Sequence, residues 1–441
     1  MKTILISLSI LLTFFGAQCQ NNSNNIVKTA VNKGNVSDID LYPAVPYFQD
    51  DAGYKGKEFG NLPANRNVNF TTHKNDQDSK RLNAIINKLH KKGGGKITIK
   101  SGKYNFRNVV LKSNIHITIE SGTIIKMDHS EKGKTVLFNI GKTDNQPIVE
   151  NVKIIGLGTL KNRPKLILEK KKNVFYRVFS IGYAKNVLIV NLKIEDDLTK
   201  AAAIAFNPSK DGKESANIAE NVTIANIELT GGSIGYGLVQ TNVGKNLLLK
   251  NLSSQGGMTC RIEAHTGRQY DLGVDNIVVK NVASINGKAA VLLQPHSVLN
   301  GRILVDGAKS DGSTWTLFLK DGFVGKDSKR KARGIFAPST TFKNISMNAS
   351  DNSATLSFKN LKYVPEELIK FYKNPKLKPI KNDANYSIKK GKLGKESAVY
   401  GASIAVIYTD AKYPINLPIE EDIVLTGKTE NRLKIIDNRD E

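Results

Sequence analysis

Four segments of the chain are near copies of one another: KNVLIVNLKI from Lys185, ENVTIANIEL from Glu220, KNLLLKNLSS from Lys245 and DNIVVKNVAS from Asp275. Each reads Asn, apolar, any, apolar, any, Asn, apolar. The first asparagines, Asn186, Asn221, Asn246 and Asn276, follow one another at 35, 25 and 30 residues. ENVKIIGLGT from Glu150 is a weaker copy, and GRILVDGAKS from Gly301 is another, with Asp306 in place of the second asparagine. Short alternating strands at such a period describe a solenoid, in which each unit buries its apolar face only against its neighbours. No helical periodicity separates the copies, so repeats built on helices are excluded. The expected fold is all-β, a right-handed parallel β-helix. Its rungs would lie about 4.8 Å apart. The second asparagines, Asn191, Asn226, Asn251 and Asn281, would stack at one corner and bond amide to amide up the column.

A solenoid has open ends, and the chain carries what is needed to close one. From Asp78, the apolar residues Leu82, Ile85, Ile86 and Leu89 are spaced as on one helical face. Asp78 or Ser79 is placed to cap this N-terminal helix, and Gly93 to Gly95 to end it. A strand from Lys96 to Lys100 follows. Toward the other end the repeat weakens beyond Asp311. VPEELIKFYKNPKLKPIKN reads as a loop or short helix laid on the core, and SAVYGASIAVIYTD as an apolar strand pair closing the end. The expected organisation is a signal peptide at 1–19, a linker at 20–65, a β-helix core carrying the site at 66–310, and C-terminal rungs with loop insertions and a cap at 311–441.

The first twenty residues hold a basic Lys2, an apolar run from Ile4 to Phe15 and small residues after it. That is a secretory pattern, too short to span a bilayer. Retaining Cys19 as a lipidated first residue is the alternative; Gln18 before it argues for cleavage after Cys19 instead. The expectation is a secreted, extracellular monomer with no membrane span. The formal charge of +25 in 441 residues exceeds what solubility requires and favours a polyanionic partner. Export argues against nucleic acid and for an acidic polysaccharide. Six histidines include no HExxH and no metal spacing, which disfavours a metal hydrolase. Any metal requirement is open: no cofactor is required for the chemistry, and a structural calcium or a chloride ion is compatible with it.

Chemistry concentrates in the strand that follows each corner. GGSIGYGLVQTN, GGMTCRIEAH and NGKAAVLLQPH end in Gln240-x-Asn242, Glu263-x-His265 and Gln294-x-His296. In a strand, residues i and i+2 share a face, so these polar pairs point outward while Val239, Ile262 and Leu293 point in. Cys260 is expected in the core. Same-face neighbours lie roughly 6.5 to 7 Å apart, which suits an acid and a base with a water between them. Glu263 is the only acid among the three pairs and the best proton donor. Arg261, Arg268, Lys245 and Lys288 lie close in sequence and could hold sulfates or carboxylates. The charge run Asp327 to Gly334 is either a polymer-gripping loop or a solvated face, and Trp315 either a sugar platform or structural.

YGLVQTN, GGMTCRIEAH and LLQPHS resemble the active-site strands of the iota-carrageenases, glycoside hydrolase family 82. The specific match runs roughly from Asn221 to Ser297. The resemblance implies inverting hydrolysis of the β-1,4 bond of a doubly sulfated galactan. It implies Glu263 as general acid, Gln240 as a holder of the catalytic water, and His296 as a substrate-binding histidine. The family pattern is Glu-x-Asp, with the aspartate as base; here His265 takes that place. A neutral imidazole can accept a proton from water near neutral pH. Two other classes remain open on the residues alone. One is a β-helix lyase on a uronate polymer, which needs a base, often Lys or Arg, and charge neutralisation by calcium or cations, for which Arg261 and Lys288 could serve; the other is a non-catalytic polysaccharide-binding β-helix.

Overall fold

The computed structural model describes residues 66–439, apart from 74–76, 129–134, 170–174, 373–387, 390–391 and 394–396. The expected signal peptide, Cys19 and the linker to residue 65 lie outside the described residues. The chain forms a right-handed parallel β-helix, with 23 strands joined in one continuous ladder system and every pairing within it parallel.

The repeats are the rungs of one face. Val187, Val222, Leu247, Ile277 and Ile303 stand in one register column, and Leu192, Ile227, Leu252, Val282 and Ala308 in another. All are buried in the core. Alternation thus becomes burial: every second side chain of a rung meets the same position of the rungs above and below. Both asparagines of the repeat are structural. Asn151, Asn186, Asn221, Asn246 and Asn276 have φ between 52° and 61°, the left-handed region that asparagine tolerates better than most side chains. Their amides donate down the column, Asn276 to Asn246, Asn246 to Asn221, Asn221 to Asn186, Asn186 to Asn151, and Asn151 to Asn114. The second set does the same between Asn281, Asn251 and Asn226. The repeat predicts one stacked corner; the structure has two, and the first set makes the longer column.

The helix Asp78–Lys91 covers the N-terminal end, burying Leu82, Ile86 and Leu89. Its expected caps act elsewhere. Gln77 is the N-cap, and no side chain caps the helix there. Asp78 instead accepts from the Asn105 amide at 3.1 Å and Ser79 from the Arg107 amide at 2.7 Å, tying the helix to the following strands. At the other end, the late apolar pair splits. Ala398–Gly401 pairs antiparallel with Ala354–Ser357, whereas Ala405–Thr409 is a parallel rung stacked on Trp315–Leu319. The antiparallel pair and the short helix Glu366–Ile369 lie against the outer face of the rungs over a second apolar cluster of Met258, Leu292, Trp315, Phe318, Leu368 and Tyr408. Trp315 is wholly buried there, stacked on Phe318 at 4.2 Å, and so is structural rather than a sugar platform.

Candidate active site

The second face of each rung carries the polar pairs. Cys260 is fully buried between Val239 and Val291, and burial pushes its thiol well above the ordinary range. Arg261 and Glu263, on alternate positions, therefore face outward. Glu263 lies level with Gln294, as the motif alignment expects, but Gln240 lies level with Arg261 rather than with Glu263. The cause is a bulge. Gly232 to Gly237 in the Glu220–Thr241 strand spans the same rise as Gly256 to Met258 in the next, so register slips in the turn before the site. Gly237, with φ 136°, passes so close to the Met258 backbone that a Cβ there would lie 2.0 Å from its carbonyl. Gln240 still reaches Glu263 diagonally.

Glu263 is enclosed. The Gln240 amide donates to its Oε1 at 2.7 Å, and the Arg261 guanidinium stands 2.7 Å from the same oxygen. His296 Nε2 faces the other oxygen, Oε2, at 3.7 Å. Burial alone would raise this carboxyl, but Arg261, His296 and Gln240 outweigh it and hold Glu263 well below the usual carboxylate range. His296 is itself fixed from behind. Arg268 stands 3.0 Å from its Nδ1. A guanidinium can only donate, so Nδ1 is the acceptor and Nε2 carries the hydrogen toward Glu263. Asp327 anchors Arg268 at 2.8 Å and accepts from Gln269 at 2.9 Å, bonds that hold its carboxyl down at about 2. The charge run from Asp327 thus begins as a brace of the site.

His265 sits differently from expectation. The strand ends at Glu263, Ala264 leaves it, and His265 opens a turn, so the in-strand spacing of Glu263 and His265 does not apply. Its ring is exposed at the cleft and lies edge-on to His296 at 5.3 Å. Desolvation in the cleft lowers its pKa; Glu263 opposes this, and Arg268, His296 and Arg261 add to it. Asn242 braces this turn. It donates to Asn207 at 3.0 Å and accepts from the Thr266 amide at 3.3 Å.

Glu263, His265, Gln240, Asn242 and Arg261 line one cavity of about 640 Å³, together with Lys142, Arg177, Lys200, Tyr236 and Asn207. Arg261 also lines a second cavity of about 620 Å³ with Lys288, Gln294, Lys320, Lys359 and Lys362. Among the described residues, Glu263 is the only carboxylate lining either. The second cavity's wall from Ser357 to Tyr363 belongs to the excursion that leaves the rungs after Ala349. Of the cations named from sequence, Arg261 and Lys288 come to the cleft. Arg268 is spent on Asp327 and His296, and His296 is 2% exposed and stands behind Glu263. Lys245 lies apart, at a corner hollow with Asp275 and Gly301. Arg177, Lys142, Lys200 and Tyr236 escaped the sequence reading. The first three precede or flank the well-formed repeats; Tyr236 lies in the bulge, whose extra residues between Asn226 and Gln240 were the available signal. Among the described residues, no group of three or more His, Cys, Asp or Glu is placed to hold a metal ion, and no helix is long and apolar enough to cross a membrane.

No family model matches the chain. An iota-carrageenase of Alteromonas macleodii is 32% identical over 285 residues, which are 62% of this chain and 56% of that protein. An iota-carrageenase of Zobellia galactanivorans is 30% identical over 280 residues, 60% of this chain and 54% of that protein. The chain spans about half the length of the curated relatives it matches. The solved structure of a family GH82 iota-carrageenase from A. fortis, without chloride ions, superposes with a TM-score of 0.70 at 24% identity, over 86% of this chain and 92% of that one. It shares the β-helix. The chain is related to the iota-carrageenases, as the three cleft strands imply.

Proposed function

We propose that the protein is an endo-acting glycoside hydrolase that cuts the β-1,4 bonds of a sulfated galactan, iota-carrageenan, with inversion. The observation that carries the reading is the cleft itself: one buried carboxylate, Glu263, and one exposed imidazole, His265, in a channel whose other charged lining residues are all lysine or arginine among the described residues. Two cavities that meet at Arg261, beside Glu263, give a polymer room on both sides of that arginine, which suits cleavage within a chain. Glu263 delivers a proton to the departing oxygen, and His265 takes one from the attacking water. His265 suits a base because its lowered pKa leaves it neutral at neutral pH. Gln240, bonded to Glu263 and facing the same cavity, can orient that water.

The names of the sequence relatives support this polymer. The lysines and arginines of both cavities match a chain with regularly spaced sulfates better than a neutral one. No cofactor takes part in this scheme. The apolar run behind Lys2 supports export, with the enzyme acting outside the cell as a monomer, its core at 66–310 bearing the acid and its 311–441 part supplying the far wall. The test is incubation with iota-carrageenan, its desulfated form and a uronate polymer. The reading expects reducing ends from iota-carrageenan without the ultraviolet absorbance of an unsaturated product. Absorbance from the uronate polymer would instead make the protein a lyase, and binding without new ends would make it a polysaccharide-binding solenoid.

A further inference from the structure

Paired with Arg261, the acid has the wrong charge for its task. A general acid must carry a proton, and Glu263 is held as a carboxylate by a guanidinium 2.7 Å away. The arginine responsible is the most accessible member of that pair: the Arg261 side chain is 17% exposed and that of Glu263 3%. Arg261 is also the one residue common to both cavities. Its other contacts are the Gly235 carbonyl and the Tyr236 ring, 5.7 Å from the guanidinium carbon, neither of which neutralises it. Arg177 lines the same cavity and adds a second positive charge nearby.

Resting on the hydrolase reading, we propose that Arg261 is a positioning residue that arms the acid: a sulfate ester entering the cleft draws the guanidinium from Glu263, and only then does Glu263 take up the proton it delivers. The exchange is balanced in charge. Arg261 gives up one oxyanion and gains another, so no half-buried cation is left alone, which would be costly. Glu263 loses its ion pair and accepts one proton from solvent in the cleft. The Gln240 amide can turn its oxygen to receive the new O–H in place of donating to a carboxylate. A sugar bearing only hydroxyl groups cannot make the exchange, because a hydroxyl does not replace an ion pair with arginine. Discrimination against unsulfated polymer therefore falls on kcat, beyond any difference in KM.

The experiment measures proton uptake on binding, by titration calorimetry of a sulfated oligosaccharide in buffers of different ionisation enthalpy, for the wild type and for Glu263→Gln. About one proton should be taken up near pH 6 by the wild type and none by Glu263→Gln. In parallel, kcat on iota-carrageenan and on its desulfated form is compared for the wild type, Arg261→Gln and Arg261→Lys. The wild type should favour the sulfated polymer in kcat by about tenfold or more, the effect of one unit in an acid's pKa. Arg261→Gln should lose most of that preference and most of the proton uptake, and Arg261→Lys should keep both in part. Binding without proton uptake overturns the exchange, as does an Arg261→Gln variant that is slower but keeps both the sulfate preference in kcat and the uptake. Uptake without any cleavage would leave the exchange standing and remove the hydrolase reading; cleavage without uptake would do the reverse.

Discussion

Two faces of the same rungs treat polar side chains in opposite ways. At the corner, identical asparagines stack, and each amide satisfies the next, Asn276 to Asn246 to Asn221 to Asn186. On the cleft face, the column Ala205, Gln240, Arg261, Leu292 and Phe318 repeats nothing. There the polar groups are unlike, and they converge across rungs on one carboxylate. A homogeneous ladder makes a frame, because each member is replaceable in kind by its neighbour. A heterogeneous cluster makes a site, because a buried acid, an arginine and a histidine each change what the others can do.

That contrast predicts where substitutions bite. The largest effect belongs to the cleft. Glu263→Gln should fold normally and lose on the order of 10² to 10⁴ in kcat, the usual worth of general acid catalysis; thermal melting and initial rates on iota-carrageenan check both halves. His265→Ala should come next, with a loss of about 10²-fold or more. Protonation silences a base, and His265 lies below the ordinary imidazole value, so the acid limb of the wild-type kcat profile should fall under about pH 6.5. His265→Asp, ionised to lower pH, should move that limb further down while restoring activity lost in the alanine variant. An acid limb that ignores both substitutions would place the base elsewhere.

The frame should respond in the other currency. Asn221→Ala takes one ladder bond from each of Asn186 and Asn246, breaking the column in two, and forces alanine to φ 58°. A cost of about 1 to 3 kcal/mol in unfolding free energy follows, with kcat unchanged. Asn221→Gly removes the bonds but not the permitted backbone, so denaturant titration should find it less damaging than alanine. The smallest effect concerns binding: raising salt should raise KM on the sulfated polymer, since the screening length shortens below about 8 Å above physiological ionic strength. A KM indifferent to salt would credit stacking and neutral hydrogen bonds over Arg177, Lys200 and Lys142.

The same contrast explains what could be read without coordinates. The ladder was legible because repetition is its mechanism: an asparagine that recurs every rung announces both a period and a corner. The inward place of Cys260 and the covering helix followed from alternation and helical spacing. Glu263 was legible as the lone acid among three polar pairs. The rest depended on local departures from the period. The bulge before Gln240 slips the register, and the strand stops at Glu263, two residues before His265. Arg268 turns away to Asp327, fifty-nine residues on, and Lys245 lies beyond the corner. The far wall, Ser357 to Tyr363, comes from a stretch that obeys no repeat at all.

The account rests on one acid and one base acting on opposite faces of a β-1,4 bond, and the product's anomeric form reports that directly. Proton nuclear magnetic resonance of iota-carrageenan in the first minutes of digestion should show the α-anomer of the new reducing end before mutarotation mixes the two. A β-anomer appearing first, or an unsaturated sugar in its place, would contradict the two-residue mechanism built on Glu263 and His265.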